Sequence, residues 1–186
     1  MDYLKIKLKD CCISISDGDH QPPPKCDSGV PFITISNINQ MNQIDFSKTM
    51  FVPEEYYDDL EEYRKVRRND ILYSVVGSFG KPVFIGDDKK FVFQRHIAIL
   101  RPDEKVVDPR FLYYTLLNPL FYSKADKYAI GAAQRTLSLD SLRNLEIEIP
   151  SIDDQFRTVE YLEEITCKIN TNTRINDNLY QFSMVT

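Results

Sequence analysis

The stretch from Ile149 to Phe182 constrains the fold most, because it predicts one helix longer than a small domain needs. After Pro150 the chain contains no further Pro or Gly. Apolar residues recur there at helical rather than strand spacing, and Asp153 and Asp154 are acidic residues of the kind that favour a helix N-terminus. About 30 residues at about 1.5 Å per residue give a helix roughly 45 Å long. A helix of this length needs a surface to pack against.

The apolar stripe of this helix contains two asparagines. Alternating a and d positions of a coiled coil fall on Leu162, Ile165, Ile169, Asn172, Asn176 and Leu179. Polar residues at such positions weaken a coiled coil but fix its register and its partner. Two interpretations stay open at this point: the helix packs on its own domain with the asparagines at an exposed end, or it pairs with a partner.

Residues 1–150 are expected to form one domain, and residues 151–186 to form the long helix. The 186 residues are 42% hydrophobic and 27% charged, which is typical of a globular protein. Short apolar runs with Gly and Pro turns, such as Ile71 to Val76 and Val83 to Ile85, predict closely connected strands. The predicted fold class is α+β: a domain with a mixed or antiparallel sheet, followed by one long C-terminal α-helix.

The sequence predicts a cytoplasmic protein without a membrane partner. No apolar run approaches the roughly 20 residues that cross a bilayer, and the first ten residues do not resemble a signal peptide. The four cysteines do not suggest a disulfide framework. A zinc site formed by Cys12, His20, Cys26 and His96 would match no known ligand spacing, so no metal is expected.

Catalytic motifs are absent from the sequence as it stands. The turn from Gly77 to Lys81 is two residues short of a phosphate-binding loop. An alternative enzyme hypothesis is a small metal-dependent nuclease that uses Asp17, Asp19 and His20, although a short carboxylate pair in a turn supports it weakly. We therefore expect a binding protein rather than an enzyme.

Charge is distributed unevenly along a chain whose net charge is −5. Residues 45–62 hold seven acids and one base, whereas residues 64–101 hold nine bases and three acids. A basic face on an acidic protein would attract phosphate groups. The contrast suggests such a face, although most charge runs are simply solvated surface.

Six motifs that follow one another along the chain resemble the specificity subunit of type I restriction–modification systems. They lie at Asp17 to Ile38, Asn69 to Gly80, Gln94 to Pro102, Phe111 to Leu116, Gly131 to Leu137 and Leu142 to Gln155. Each motif is weak alone, but six in the family's order are specific. Asn69 stands where the family more often has Gly, which affects a turn.

The resemblance implies a non-catalytic subunit that recognises double-stranded DNA. In that family a target recognition domain reads one half of a split site, and a long helix spaces two such domains and docks methyltransferase subunits. This chain has one domain and one helix, so it looks like half a subunit, either natural or truncated. We expect a homodimer that assembles with methyltransferase and restriction subunits. No cofactor is expected in this chain, and S-adenosylmethionine is expected in the methyltransferase.

Family members read different DNA sequences, so residues of the shared pattern are poor choices for base-specific contact. They are expected to contact phosphates or to form the framework: Asn37, Ser78, Lys81, Gln94, Arg95, Gln134 and Arg135. Base readout is expected outside the pattern, in residues 21–28, 39–48 and 63–68. The base-contacting candidates are Gln21, Lys25, Asn39, Gln40, Asn42, Arg64 and Arg67. A regulator that occupies the methyltransferase without reading DNA remains an alternative.

Overall fold

The fold was analysed in a computed structural model, which describes residues 3–18, 23–132 and 134–183. Its strands are β1 (Leu4–Lys7), β2 (Cys12–Asp17), β3 (Val30–Ile33), β4 (Met50–Val52), β5 (Ile71–Ser74), β6 (Pro82–Phe84), β7 (Val92–Phe93), β8 (Ile97–Pro102) and β9 (Glu146–Ile149). Its α-helices are α1 (Glu54–Asp58), α2 (Pro109–Leu117), α3 (Pro119–Asp126), α4 (Leu139–Asn144) and α5 (Ile152–Ser183).

The main sheet has four antiparallel strands in the order β2-β8-β5-β6. Its two central strands are apolar on both faces, because alternate residues of a strand point to opposite sides. Ile71 and Tyr73 of β5 join a core cluster with α2 and α3, whereas Leu72 joins a second cluster with Phe91 and Phe93. The sheet therefore has packed layers on both sides.

Two smaller sheets complete the domain. In one, β3 lies antiparallel to β4 and parallel to β7, so this sheet is mixed. In the other, β1 pairs with β9 and brings the two ends of the domain together. The predicted α+β class with mixed and antiparallel sheets is confirmed.

The predicted long helix is also confirmed, and its 32 residues begin two positions after Pro150. Its first turns pack on the domain, where Gln155 and Val159 are buried. The side chain of Gln155 accepts a hydrogen bond from the backbone of Asp108 at 2.9 Å and donates one to the carbonyl of Pro150 at 3.0 Å. The start of α5 is therefore part of the domain's own packing.

Beyond Thr166 the helix leaves the domain. Every later residue for which a side chain is described is exposed, except the half-buried Asn170 and Thr173. At about 100° per residue, the stripe through Tyr161, Ile165 and Ile169 lies roughly 100° around the axis from the packed face. The first turns of the helix thus pack on the chain's own domain with the two asparagines at the exposed end, as one interpretation expected, whereas Ile165 and Ile169 lie outside that packing.

Asn69 adopts a left-handed backbone conformation with φ of +70°. Glycine adopts this conformation without strain, and Asn is among the few other residues that tolerate it. Its side chain also donates a hydrogen bond to Glu104 at 2.9 Å. Asn at this position therefore preserves the turn that Gly would form.

None of the described helices combines the length and the apolar composition that a membrane span requires.

Candidate nucleic-acid interface

Three separate segments of the chain meet at one end of the main sheet. The carbonyl of His96 accepts a hydrogen bond from the backbone of Val75 at 2.9 Å, and Val75 in turn accepts one from Leu137 at 2.9 Å. Two positions further along, the backbone of Gly77 donates a hydrogen bond to the carbonyl of Arg135 at 3.1 Å. The turns around residues 77–81 and 94–96 and the loop at 131–137 are thereby held beside one another.

These segments form a polar cleft that contains two of the predicted phosphate contacts. It is lined by Asp17, Val76, Arg95, His96, Gln134 and Thr136. Arg95 and Gln134 are exposed and offer guanidinium and amide donors, which are groups that hold phosphate oxygens. Gln94 lies half-buried just before Arg95. The sequence reasoning missed His96 and Thr136, although both lie within or next to the shared motifs.

Arg135 has a structural partner instead of a free guanidinium. Its Nε and Nη2 atoms donate to the Asp126 carboxylate at 3.0 and 2.7 Å, and Nη2 also donates to the Asp126 carbonyl. These bonds fasten the 131–137 loop to the end of α3. Of the two predictions for this residue, framework and phosphate contact, the geometry favours the framework role.

The turn at 77–81 presents Ser78 and Lys81 on a tightly folded backbone. Ser78 is exposed and its carbonyl accepts from Ser74 Oγ at 2.7 Å, while the backbone of half-buried Lys81 donates to the same hydroxyl at 2.8 Å. Gly80 has φ of +85°, and a Cβ there would lie 2.4 Å from the Tyr122 ring. The turn is therefore fixed by its glycine and by Ser74.

Asn37 and Asn39 use their side chains to shape the predicted reading loop at 39–48. Asn37 Nδ2 donates to the carbonyl of Lys48 at 3.1 Å, and its Oδ1 accepts from the backbone of Thr34 at 2.9 Å. Asn39 Oδ1 accepts from the backbone of Met41 and Gln43 at 2.9 and 3.0 Å. Both polar atoms of the Asn37 side chain and the Oδ1 atom of Asn39 are thus occupied within the protein.

The tip of the same loop faces the long helix. Asn42, at φ of +55°, takes the left-handed turn position. Met41, Asn42 and Gln43 line a cleft whose other wall includes Tyr113 of α2 and Asn170 of α5. Of the base-contacting candidates in this loop, Gln40 has an exposed side chain. Gln40 is thus the exposed base-contacting candidate of this loop, whereas Asn39 and Asn42 are half-buried.

The segment at 62–68 carries the other two predicted base contacts. Arg64 lies over the Tyr63 ring at 5.7 Å from its centroid. Arg67 pairs with Glu62 at 3.1 Å, and Lys65 pairs with the same carboxylate at 2.9 Å. These hydrogen bonds, with that from Lys65 the larger, lower the pKa of Glu62 below its ordinary value.

The hypothesis of one basic face is only partly supported. Lys65 and Arg67 share one carboxylate, that of Glu62 from the acidic run, and the half-buried Arg101 pairs with Asp70 at 2.8 Å. Arg68 donates to the carbonyl of Gly86 at 2.9 Å. Part of the basic run is therefore paired within the protein, and the acidic run contributes one of its partners, Glu62.

Three residues that the sequence analysis considered, Asp19, His20 and Gln21, lie outside the described residues. Lys25 is exposed, and the next residue, Cys26, forms an isolated antiparallel β-bridge with Phe51 of β4. Among the described residues, no group of three or more His, Cys, Asp or Glu side chains is placed to hold a metal ion. The nuclease hypothesis gains no support from Asp17, which lies at the polar cleft.

The predicted helix seam is solvent-exposed along most of its length. Leu162 is half-buried, whereas Ile165, Ile169 and Leu179 are 53%, 58% and 61% exposed. Asn172 and Asn176 are exposed on the same stripe. An apolar stripe of this size on a free helix is typical of an interaction surface.

A sequence model described as the type I restriction modification DNA specificity domain matches residues 2–181. The specificity subunit of the type I restriction enzyme EcoBI from Escherichia coli is 30% identical over 146 residues, covering 78% of this chain and 30% of that protein. The MjaVIII specificity subunit from Methanocaldococcus jannaschii is 27% identical over 173 residues, covering 88% and 39%. The chain thus spans less than half the length of these relatives.

Two solved structures have folds similar to that of this chain. The crystal structure of the type I restriction–modification S subunit from M. genitalium superimposes with a TM-score of 0.65 at 16% identity, covering 92% of this chain and 41% of that one. A structure from work on complex assembly and conformational transition of the type I system gives a TM-score of 0.68 at 20% identity, covering 92% and 40%.

Proposed function

Because the chain belongs to the type I restriction modification DNA specificity family, we propose that it is a non-catalytic subunit that reads one half of an interrupted DNA target. The observation that carries the proposal is the polar cleft formed by three separate family motifs. There Arg95 and Gln134 reach the surface beside one another. Such donors position a DNA backbone, while neighbouring loops supply base contacts.

Two such chains pair through the exposed stripe of α5. The stripe is apolar at Ile165, Ile169 and Leu179 and lies away from the chain's own domain. A two-fold dimer presents two identical recognition domains, so its target is an inverted repeat with an unread spacer. The dimer docks methyltransferase subunits, which carry S-adenosylmethionine, and restriction subunits in the cytoplasm.

The test is co-purification with the methyltransferase encoded in the same genome, followed by mapping of the adenines that become methylated. We expect modification at one interrupted, palindromic motif. Arg95→Ala with Gln134→Ala should weaken binding to all duplexes alike, because phosphate contacts carry no sequence information. Arg110→Ala, outside the cleft, is the control. If the chain co-purified with the methyltransferase but the methylated adenines shared no sequence motif, the proposal would be contradicted.

A regulator that binds the methyltransferase without reading DNA is the second candidate. It is favoured by the pairing of Lys65 and Arg67 with Glu62 and of Arg101 with Asp70, which reduces the positive charge that these side chains offer to DNA. It predicts that the chain lowers methylation by a full-length specificity subunit and has equal affinity for all duplexes. A methylation motif set by this chain would exclude it.

A further inference from the structure

The segment at 62–68 is held to the main sheet through its backbone carbonyls. Ser16 of β2 donates its hydroxyl to the carbonyl of Tyr63 at 2.8 Å. Arg101 of β8 donates from Nη2 to the carbonyl of Lys65 at 2.8 Å. Ser16 is buried, and the Arg101 side chain is 13% exposed. Two side chains from neighbouring strands thus fix a segment that has only one short turn of 3-10 helix of its own.

A buried carboxylate fixes the arginine and the segment together. Asp70 is 1% exposed and accepts two hydrogen bonds from Arg101, at 3.0 Å from Nε and 2.8 Å from Nη2. The same carboxylate accepts from the backbone of Arg67 at 2.8 Å. Because Asp70 directly precedes Ile71, which pairs with Leu100, it lies across from Arg101. These three bonds and the bond from Arg101 to the Lys65 carbonyl connect the arginine, the carboxylate and the segment. Together with the bond from Ser16 to Tyr63 they are called the clamp.

Two side chains of the clamped segment, those of Tyr63 and Arg67, are exposed. Tyr63 is 45% exposed, and the Arg67 side chain is 54% exposed. The bond between Arg67 and Glu62 is a surface ion pair, which contributes little to stability. The guanidinium can therefore exchange that carboxylate for a base edge, where Arg makes bidentate contacts. Buried ion pairs often add little net stability over apolar substitutes, so stability alone does not account for this one.

We propose that Ser16, Asp70 and Arg101 are positioning residues, which hold residues 62–68 in one backbone conformation so that Tyr63 and Arg67 discriminate between DNA bases. This inference rests on the proposed function. Contacts held in advance discriminate better than contacts formed by a mobile loop, because ordering the loop on binding costs affinity. The clamp acts on discrimination, whereas the Arg95 cleft acts on affinity for any duplex.

The test compares Arg101→Lys and Ser16→Ala in the complete assembly with the methyltransferase. Lysine keeps the charge beside Asp70 but loses the fork that also reaches Lys65. The probe is the set of duplexes that the wild-type assembly selects from a randomised pool, with a scrambled duplex beside it. Arg143→Lys is a matched control, because Arg143 also joins a carboxylate, Asp140, to a backbone carbonyl, that of Ile15.

We expect Arg101→Lys to lower the ratio of selected to scrambled affinity by about tenfold, which is within the range of one good base contact. Ser16→Ala should lower it by about threefold, because it removes only one of the bonds that hold the segment. Affinity for the scrambled duplex should stay within about twofold, since phosphate contacts supply it. Arg143→Lys should leave the ratio unchanged. Arg67→Ala should lower the ratio at least as much as Arg101→Lys, because it removes a base contact that Arg101 only positions.

Equal ratios in Arg101→Lys, Ser16→Ala and wild type would overturn the inference. So would a fall in Arg143→Lys as large as that in Arg101→Lys, which would indicate a general loss of structure. Ser16→Ala removes a single hydroxyl and keeps the inference testable if Arg101→Lys does not fold. A wild-type assembly that binds DNA with no selection would instead contradict the proposed function itself.

Discussion

The two parts of α5 differ in what surrounds them. Its first turns are buried on the domain through Gln155 and Val159, and Gln155 satisfies backbone groups of Asp108 and Pro150. Its later turns expose Ile165, Ile169 and Leu179 to solvent. The same continuous helix is thus core at one end and free surface at the other.

The difference teaches that helix length alone does not reveal a helix's role. Tertiary packing supplies most helical stability in proteins. The first turns have that packing within the chain, whereas the later turns lack it among the described residues and obtain it from a partner under the proposed function. Substitutions at the two ends should therefore affect different equilibria.

The largest effect is expected from Val159→Asp. A charge without a partner at this buried position should lower the free energy of unfolding by about 3–5 kcal/mol. Ile169→Asp, the matched change on the exposed part, should cost less than about 0.5 kcal/mol under monomeric conditions. Urea unfolding followed by circular dichroism measures both. Equal costs would mean that Ile169 is packed within the monomer.

Association should be the next most sensitive property. Ile165→Asp combined with Ile169→Asp removes two side chains worth about 1.5–3 kcal/mol each when fully buried. The dimer dissociation constant should rise at least about 100-fold, measured by sedimentation equilibrium. Thr171→Asp combined with Asn178→Asp is the control, because both positions are exposed off the stripe and the pair adds the same two charges. A wild-type chain that stays monomeric at high concentration would remove the dimer proposal.

A smaller effect of opposite sign is expected from Asn172→Leu with Asn176→Leu. Apolar residues at coiled-coil core positions strengthen association, while the loss of the polar pair loosens register and partner choice. Association should tighten by about tenfold, and chemical cross-linking should yield more than one register. Unchanged association and unchanged methylation would place both asparagines outside the interface.

The smallest effect concerns the contact where the helix leaves the domain. Arg110 and Glu163 form an ion pair with side chains 51% and 42% exposed. Such surface pairs contribute about 0.2–1 kcal/mol. A double-mutant cycle with Arg110→Ala and Glu163→Ala should give a coupling energy in that range and no change in association. A larger coupling energy would indicate that the packed part of α5 continues past Val159 as far as Glu163.

The helix and the fold class were predictable because they depend on local patterns. The absence of Pro and Gly after Pro150, with apolar residues at helical spacing, requires no tertiary information. The apolar stripe followed from the same periodicity, but its exposure did not. The face that α5 presents to the domain did not, because it depends on where Asp108 and Arg110 lie in space.

The site was harder to predict, because side chains at loops choose partners that are distant in sequence. Asn37 and Arg135 look like free polar groups in the sequence, yet one bonds the carbonyl of Lys48 and the other bonds Asp126. The role of Arg101 depends on a cross-strand neighbour, Asp70, 31 residues away. Charge counts along the chain cannot reveal such pairing.

Cys167 lies on α5 just past the packed turns and is the most exposed of the four cysteines. On the helix it lies away from the stripe that contains Ile165 and Ile169, so a probe attached there would not obstruct pairing. Two parallel helices would place such probes at the same height. An antiparallel pair in which Asn172 faces Asn176 would separate them by about 20 Å along the axis. The native thiol is therefore a built-in reporter of helix orientation.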